Sequence, residues 1–256
     1  MRIGKKLAGL TFVLACSVVS NAFAASVKEC ADLPSQAALK KALTEARAAG
    51  NGGLNLDMWG TIVGRSGVVC AVAYTGVSVG AQWPGSRVIS AQKANTANAF
   101  SLAGLALSTA NLYSAVQPGG SLFGLQESNP VNTDVAYRGS AAQFGSDRDP
   151  MVSERIGGVN VFGGGLALYD AKGTLLGGIG VSGDTSCADH NIAWRTRHIL
   201  GLDYVPGGVA PTKNDQIIFD ITDGKSAGGF GHPACGGKEQ ELAASLPESA
   251  KVAAAK

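Results

Sequence analysis

Residues Gly163 to Leu202, GGGLALYDAKGTLLGGIGVSGDTSCADHNIAWRTRHILGL, leave the chain few ways to fold. Leu166–Tyr169 is a short apolar run and Thr174–Val181 a second, with Ala171-Lys172-Gly173 between them. Two apolar runs joined by a glycine-bearing turn predict a β-hairpin. The run Gly178-Ile179-Gly180-Val181-Ser182-Gly183 then leads into a helix that starts on acidic and cysteine residues. It matches G-x-G-x-x-G, and Asp203 lies about where a dinucleotide fold places its ribose-binding acid. That fingerprint needs a parallel βαβ unit, whereas the strand here is the second arm of an antiparallel hairpin, and no strand of the required kind follows at the right distance. The glycines are read as permitting a sharp turn and a helix packed close to a sheet.

The start of the chain is read as targeting. Arg2, Lys5 and Lys6 precede an apolar segment, Leu7 to Val19, and Ala22-Phe23-Ala24 has the small-residue pattern of a cleavage site. This is a secretory signal peptide cut after Ala24. Cys16 is not preceded by a lipobox leucine at the usual place, so lipidation is not expected. Removing the three basic residues takes the formal net charge from +2 to −1. The basicity belongs to targeting, and nothing favours nucleic-acid or anionic-membrane partners. No later stretch is long enough for a transmembrane helix. The chain divides into the signal over 1–24, one domain with a C-terminal arm over 25–237, and a flexible tail over 238–256. With 36 glycines and 6% aromatics it is globular but rich in turns.

Four cysteines follow the signal: Cys30, Cys70, Cys187 and Cys235. An even number in an exported chain predicts disulfides. Of three connectivities we favour Cys187–Cys235, which ties a glycine-rich arm to the central helix, and Cys30–Cys70 by elimination. No pair has C-x-x-C spacing, which argues against a cysteine metal site.

Upstream of the central stretch, Pro34–Ala49 reads as a helix with Leu39, Ala42, Leu43 and Ala46 on one face. Met58–Val63 and Val68–Tyr74 flank the turn Arg65-Ser66-Gly67 and form a hairpin buried on both faces. Val88–Ala103 is a helix carrying Lys93, and Leu105–Val116 is another helical segment. Ser121–Gly158 is a long loop of turn residues, of the kind that serves function or an interface. Gln216–Ile221 is a short strand, Gly228–Cys235 a loop, and Glu239–Lys256 a frayed tail without an apolar face.

The Lys93-Ala94-Asn95-Thr96-Ala97 helix, the glycine approach to a hairpin, the Gly178–Gly183 run and the acid at the next helix start, Asp189, together resemble the GlcG/HbpS haem-binding family, also called haem-degrading or PduO C-terminal-like. The resemblance covers about Pro34 to Leu202. It implies an α/β (α+β) fold, a mostly antiparallel, profilin-like sheet flanked by helices. It also implies homo-oligomers and, for exported members, haem binding with haem degradation or iron release in some. Where other members often carry a second acid after the equivalent of Asp189, this chain has His190.

Haem iron takes an axial His, Met, Cys or Tyr and an apolar pocket. His190, in the first turn of the central helix, and His232, in a Phe-Gly-His-Pro loop, lie three residues from the two ends of a Cys187–Cys235 bridge. They are the favoured ligand residues, with Asp189 beside them; His198 is expected in a surface or interface role. Asp184, His190 and His232 also have the composition of a small metal site. The alternative function is a periplasmic binding or sensory module for a small organic acid, its carboxylate paired with Arg87 or Lys93. Otherwise Lys93 in a helix of alanines is a solvated residue. No Ser/His/Asp order or Cys/His pair supports a hydrolase.

Overall fold

The computed structural model describes residues 28–252. The expected signal peptide, residues 1–24, lies outside the described residues. The elements in chain order are helix α1 (Gln36–Ala48), strands β1 (Trp59–Gly64) and β2 (Val69–Tyr74), helix α2 (Ser86–Phe100) and a short α3 (Thr133–Ala136). There follow β3 (Gly165–Tyr169), β4 (Leu175–Ser182), α4 (Ser186–Ile199), a two-residue pair β5 (Ile221–Thr222) and β6 (Lys225–Ser226), and α5 (Glu239–Ala243).

The four main strands form one antiparallel sheet in the order β2-β1-β4-β3. Both expected hairpins form, and each turn ends on a glycine in the left-handed region, Gly67 at φ +80° and Gly173 at φ +75°. In the second turn the Asp170 carboxylate accepts the Lys172 and Thr174 amides, at 2.9 and 2.8 Å, an Asx turn that fixes the reversal. Strands β1 and β3 are buried on both faces, as their lack of alternation predicts. On one face Ile62, Ala71, Leu166, Ile179 and Val181 meet Leu39 and Leu43 of α1 and Ile192 and Trp194 of α4. On the other, Trp59, Val63, Val69 and Val72 meet Val88, Ala91 and Ala94 of α2. The result is an α+β sandwich with helices on both sides of an antiparallel sheet.

The Gly178–Gly183 run acts as a packing surface. A Cβ at Gly178 would collide with the Ala94 carbonyl, one at Gly180 with the Ser90 carbonyl, and one at Gly165, the strand partner of Gly180, with the Lys93 carbonyl. Adjacent turns of α2, from Ser90 to Ala94, therefore lie on bare backbone. A Cβ at Gly183 would strike the Asp57 carbonyl, where the chain leaves the sheet for α4.

Several expectations are corrected. Leu105–Val116 is not a helix but a loop with two 3-10 turns, Ala110–Leu112 and Ser114–Val116. Asn111 Oδ1 accepts both the amide and the hydroxyl of Ser108 (3.1 and 2.9 Å), a local closure that competes with the helical ladder. Of the expected strand Gln216–Ile221, residues Gln216–Asp220 have no ladder partner, because the β3 edge is already taken: Tyr169 donates to the Leu202 carbonyl and Thr109 to that of Gly165. Only Ile221–Thr222 pairs, and it does so with Lys225–Ser226. The loop from Ser121 to Gly158 includes α3 and buries Val135, Ala136, Met151 and Ile156 in the core beside α2.

Residues 239–252, expected to fray, are packed. Glu239 is buried and accepts the Thr185 hydroxyl at 2.8 Å, and Trp194 Nε1 donates to the Pro247 carbonyl at 2.8 Å. Both favoured disulfides are present, Cys30–Cys70 and Cys187–Cys235. Among the described residues no helix is long and apolar enough to cross a membrane.

Gly180→Ala is expected to lower unfolding stability by about 1–3 kcal/mol or more, since the added methyl must push α2 off the sheet. Gly80→Ala, with no atom within 4 Å of the new Cβ, stays within about 0.5 kcal/mol. Urea unfolding of the two variants beside the parent checks both.

Candidate functional site

Helix α4 begins where β4 ends, and its first turn organises the residues singled out above. Thr185 is the N-cap, its side chain accepting the Ala188 amide. Asp184 is consumed by backbone: Oδ1 accepts the Leu54 and Thr185 amides (2.8 and 2.6 Å) and Oδ2 the Leu56 amide (2.9 Å). It anchors the loop before β1 and does not join the histidines.

Asp189 and Lys93 form a fully buried ion pair, 2.7 Å between Oδ2 and Nζ. Lys93 also donates to the Val181 carbonyl at 3.1 Å and faces the Phe162 ring at 4.9 Å, while Asp189 Oδ1 accepts the Asp184 amide at 2.9 Å. Burial pulls the Lys93 pKa down and pushes that of Asp189 up to about 6, with each partner opposing the shift of the other. Lys93 is thus neither solvated nor free to take a ligand carboxylate. Arg87 is likewise committed. Its Nε donates to Asp149 Oδ2 at 2.9 Å, its Nη2 pairs with Oδ1, its Nη1 donates to the Ala136 carbonyl at 2.9 Å, and its guanidinium stacks on Phe144 at 3.7 Å. The organic-acid reading loses both of its cations to internal partners.

The two favoured histidines are interior residues. His190 is fully buried and neither ring nitrogen has a hydrogen-bond partner among the described residues. Burial, reinforced by His232, Arg197 and Lys93, lowers its pKa to about 3, so it is neutral at pH 7. His232 is also buried. Its Nδ1 donates to the Pro233 carbonyl at 2.7 Å, Nε2 accepts the Gly163 amide at 3.3 Å, and its ring packs on Tyr113 at 5.1 Å. Burial lowers its pKa to about 4. These bonds order the arm and leave no lone pair for iron. The metal set of Asp184, His190 and His232 does not assemble. The cluster that does converge among the described residues is Cys187, His232 and Cys235, with ligand atoms within 4.8 Å. Its two sulfurs are joined to each other and supply no thiolate.

His198 differs. Its Nδ1 lies 2.7 Å from Asp203 Oδ2, and the side chains are 46% and 4% exposed. A carboxylate only accepts, so Nδ1 carries the hydrogen, and Nε2 has no hydrogen-bond partner among the described residues. A separate open cleft of about 850 Å³ lies between α4, the β3–β4 turn and the arm, with Val205, Pro206 and Leu246 among its apolar residues and Lys172, Lys213 and Lys251 among its polar ones; His198 does not line it. Trp194 stands one helical turn before His198. The cleft-wall residue Ala250 donates its amide to Asp203 Oδ2 at 3.3 Å, the oxygen that holds His198.

The sequence reading passed over this cleft because its parts are scattered from residue 103 to 252. It also missed the buried pair Arg197–Asp215, at 2.6 and 2.8 Å, which fixes α4 to the arm.

Lys93→Met is expected to cost about 3–5 kcal/mol by stranding Asp189, and the double variant Lys93→Met/Asp189→Leu much less, as read by urea unfolding. Two neutral buried histidines also predict acid sensitivity. The unfolded chain binds their protons near pH 6.5 and the folded chain does not, so their stabilisation is full above pH 6.5 and is lost as pH falls toward 4 and 3. At pH 5 each costs about 2 kcal/mol relative to pH 7. His190→Leu should flatten the pH profile of unfolding by one such amount.

Solved structures similar to the chain include a PduOC–haem complex (24% identity, 63% of this chain and 88% of that chain, TM-score 0.44). Others are Klebsiella pneumoniae protein ORFY (22%, 78% and 97%, TM-score 0.41) and HbpS (17%, 78% and 99%, TM-score 0.42). No curated protein matches the chain. Residues 34–197, which run from just before α1 into the last turn of α4, match the model of the family described as haem-degrading protein HbpS-like, and the chain belongs to that family.

Proposed function

We propose that this protein is exported to the periplasm or beyond and there binds haem or a related tetrapyrrole. Membership of a family described as haem-degrading carries the reading. The basic-apolar start with its A-x-A site and the two disulfides support export. The assembly is a homo-oligomer, and degradation of bound haem is slow, haem-assisted oxidation rather than the work of a dedicated catalytic group.

The residues present fit such a ligand. A cleft of about 850 Å³ lies within the range of small-molecule sites. Its lining is mixed: Val205, Pro206 and Leu246 would give apolar contact to a macrocycle, and Lys172, Lys213 and Lys251 would pair with carboxylates. Bound haem supplies a redox-active iron and an intense visible absorption. The chain's part is to hold the ring, keep its carboxylates paired and limit access of water. Arg87, Lys93, Asp189 and His232 are engaged within the fold, keeping α2, α4, the long loop and the arm in place, and His190 is buried beside them.

Titration of haemin into residues 25–256, followed by absorbance, tests the reading. Saturable binding with a sharp Soret shift is expected. A linear, unsaturable rise like that given by an unrelated protein would overturn it.

A further inference from the structure

We propose that Cys187–Cys235 is a thiol-exchange site rather than a fixed staple, with Cys235 as the sulfur that an incoming thiol attacks and Cys187 as the sulfur that leaves. The site is independent of haem and lies at the N-terminal end of α4.

The two sulfurs have opposite surroundings. Cys187 is the second residue of α4, after the N-cap Thr185. Its amide is one of those that a helix start leaves without an intrahelical partner, and it donates to Cys235 Sγ at 3.3 Å. The Ser186 hydroxyl, in the same turn, lies 3.6 Å from Cys235 Sγ. Both groups favour negative charge on that sulfur, as does the positive end of the helix dipole, and thiolates form readily in such places. Cys187 Sγ instead faces the Pro233 carbonyl at 3.5 Å, an acceptor that suits a thiol and opposes a thiolate. The reduced pair therefore divides into a Cys235 thiolate and a Cys187 thiol.

Access has the same polarity. Cys187 is 1% exposed, whereas Cys235 is half-buried, so a thiolate from solvent meets Cys235 first. The thiolate RS⁻ attacks Cys235 Sγ, and the R–S–Cys235 bond forms as the bond to Cys187 breaks. Cys187 leaves with the electron pair and takes up a proton; His232 Nδ1, which carries a hydrogen, lies 3.9 Å from it. A second RS⁻ attacks the sulfur of R and expels Cys235 as its thiolate. Two thiols have become one disulfide, and their two electrons have reduced the protein bond. They shed two protons, of which Cys187 keeps one. The reductant is a small thiol of the glutathione class. In the reverse direction Cys187 displaces RS⁻ from Cys235 and the bond reforms.

Cys30–Cys70 is the contrast within the same chain. Cys70 Sγ lies 3.6 Å from the Val68 carbonyl, and no amide or hydroxyl donates to either sulfur among the described residues. Both of its cysteines are half-buried, so exposure alone would open this bond before Cys187–Cys235. Opening Cys187–Cys235 leaves the arm held on both sides of residue 235, by Arg197–Asp215, Trp194 to Pro247 and Asp203 to Ala250. The fold therefore survives the exchange.

The test equilibrates residues 25–256 with reduced and oxidised glutathione over a range of ratios at pH 7. Free thiols are trapped by alkylation and each cysteine is assigned by peptide mass. Half-reduction of Cys187–Cys235 is expected at a value of [GSH]²/[GSSG] about tenfold or more below that of Cys30–Cys70. Far-ultraviolet circular dichroism should not change as the first pair opens. In samples quenched with acid during the reaction, the glutathione adduct should lie on Cys235. Equal midpoints, or Cys30–Cys70 opening first, would overturn the proposal. An adduct on Cys187 would overturn the assigned polarity. Loss of the circular dichroism signal as Cys187–Cys235 opens would make that bond a structural staple and overturn it as well.

Discussion

Lys93 reaches Asp189 only because α2 lies almost in contact with the backbone of the sheet. Gly165, Gly178 and Gly180 remove the side chains that would hold the helix away, and Gly164 leaves room for the pair itself: a Cβ there would sit 2.9 Å from Lys93 Nζ and 3.1 Å from the Asp189 Cβ. The ammonium then has a carboxylate, a carbonyl and an aromatic face around it and is fully buried. An ion pair of this kind stabilises little relative to apolar residues of the same shape, because desolvation opposes the Coulomb attraction. It does penalise any arrangement in which α2 and α4 fail to meet, and so acts on the uniqueness of the fold more than on its depth.

Arg87–Asp149 and Arg197–Asp215 repeat the device. Each buries a guanidinium in a bidentate pair, the first between α2 and the long loop, the second between α4 and the arm. Together the three pairs join α2, α4, the loop and the arm, segments far apart in the chain. Cations spent in this way are unavailable to ligands. A reading of function from composition alone overestimates what Arg87 and Lys93 can bind, since charged residues are seldom fully buried and burial is the observation that redirects them.

The arm shows the same logic at the other end of α4. Cys187–Cys235 fixes it covalently at the N-terminal end of the helix, His232 orders the loop beside the bridge, and Trp194 to Pro247 and Asp203 to Ala250 fasten it along the C-terminal half. The segment buries few apolar side chains of its own; it is held by a covalent bond and by hydrogen bonds to the helix. The space it does not fill is the cleft.

The architecture was legible in the sequence where information is local. Apolar runs with glycine turns marked both hairpins, the face of Leu39, Ala42, Leu43 and Ala46 marked α1, and the parity and compartment of the cysteines led to their pairing. The glycines of 178–183 were readable as close packing because an antiparallel strand before them excludes the dinucleotide use. The failures fall where a partner is remote. Nothing near Lys93 in the chain reveals Asp189, 96 residues away. Nothing near His190 or His232 says that one would be sealed in the core and the other used to order a loop, or that His198, the least favoured of the three, would be the half-exposed one, paired with Asp203. Glu239 looked like a tail residue until Thr185 was placed beside it. Local sequence decides which segments are helix, strand or turn, because propensity and periodicity act over a few residues. Which polar groups are buried, paired or left to face a ligand depends on the distances between segments, and only the tertiary structure sets those.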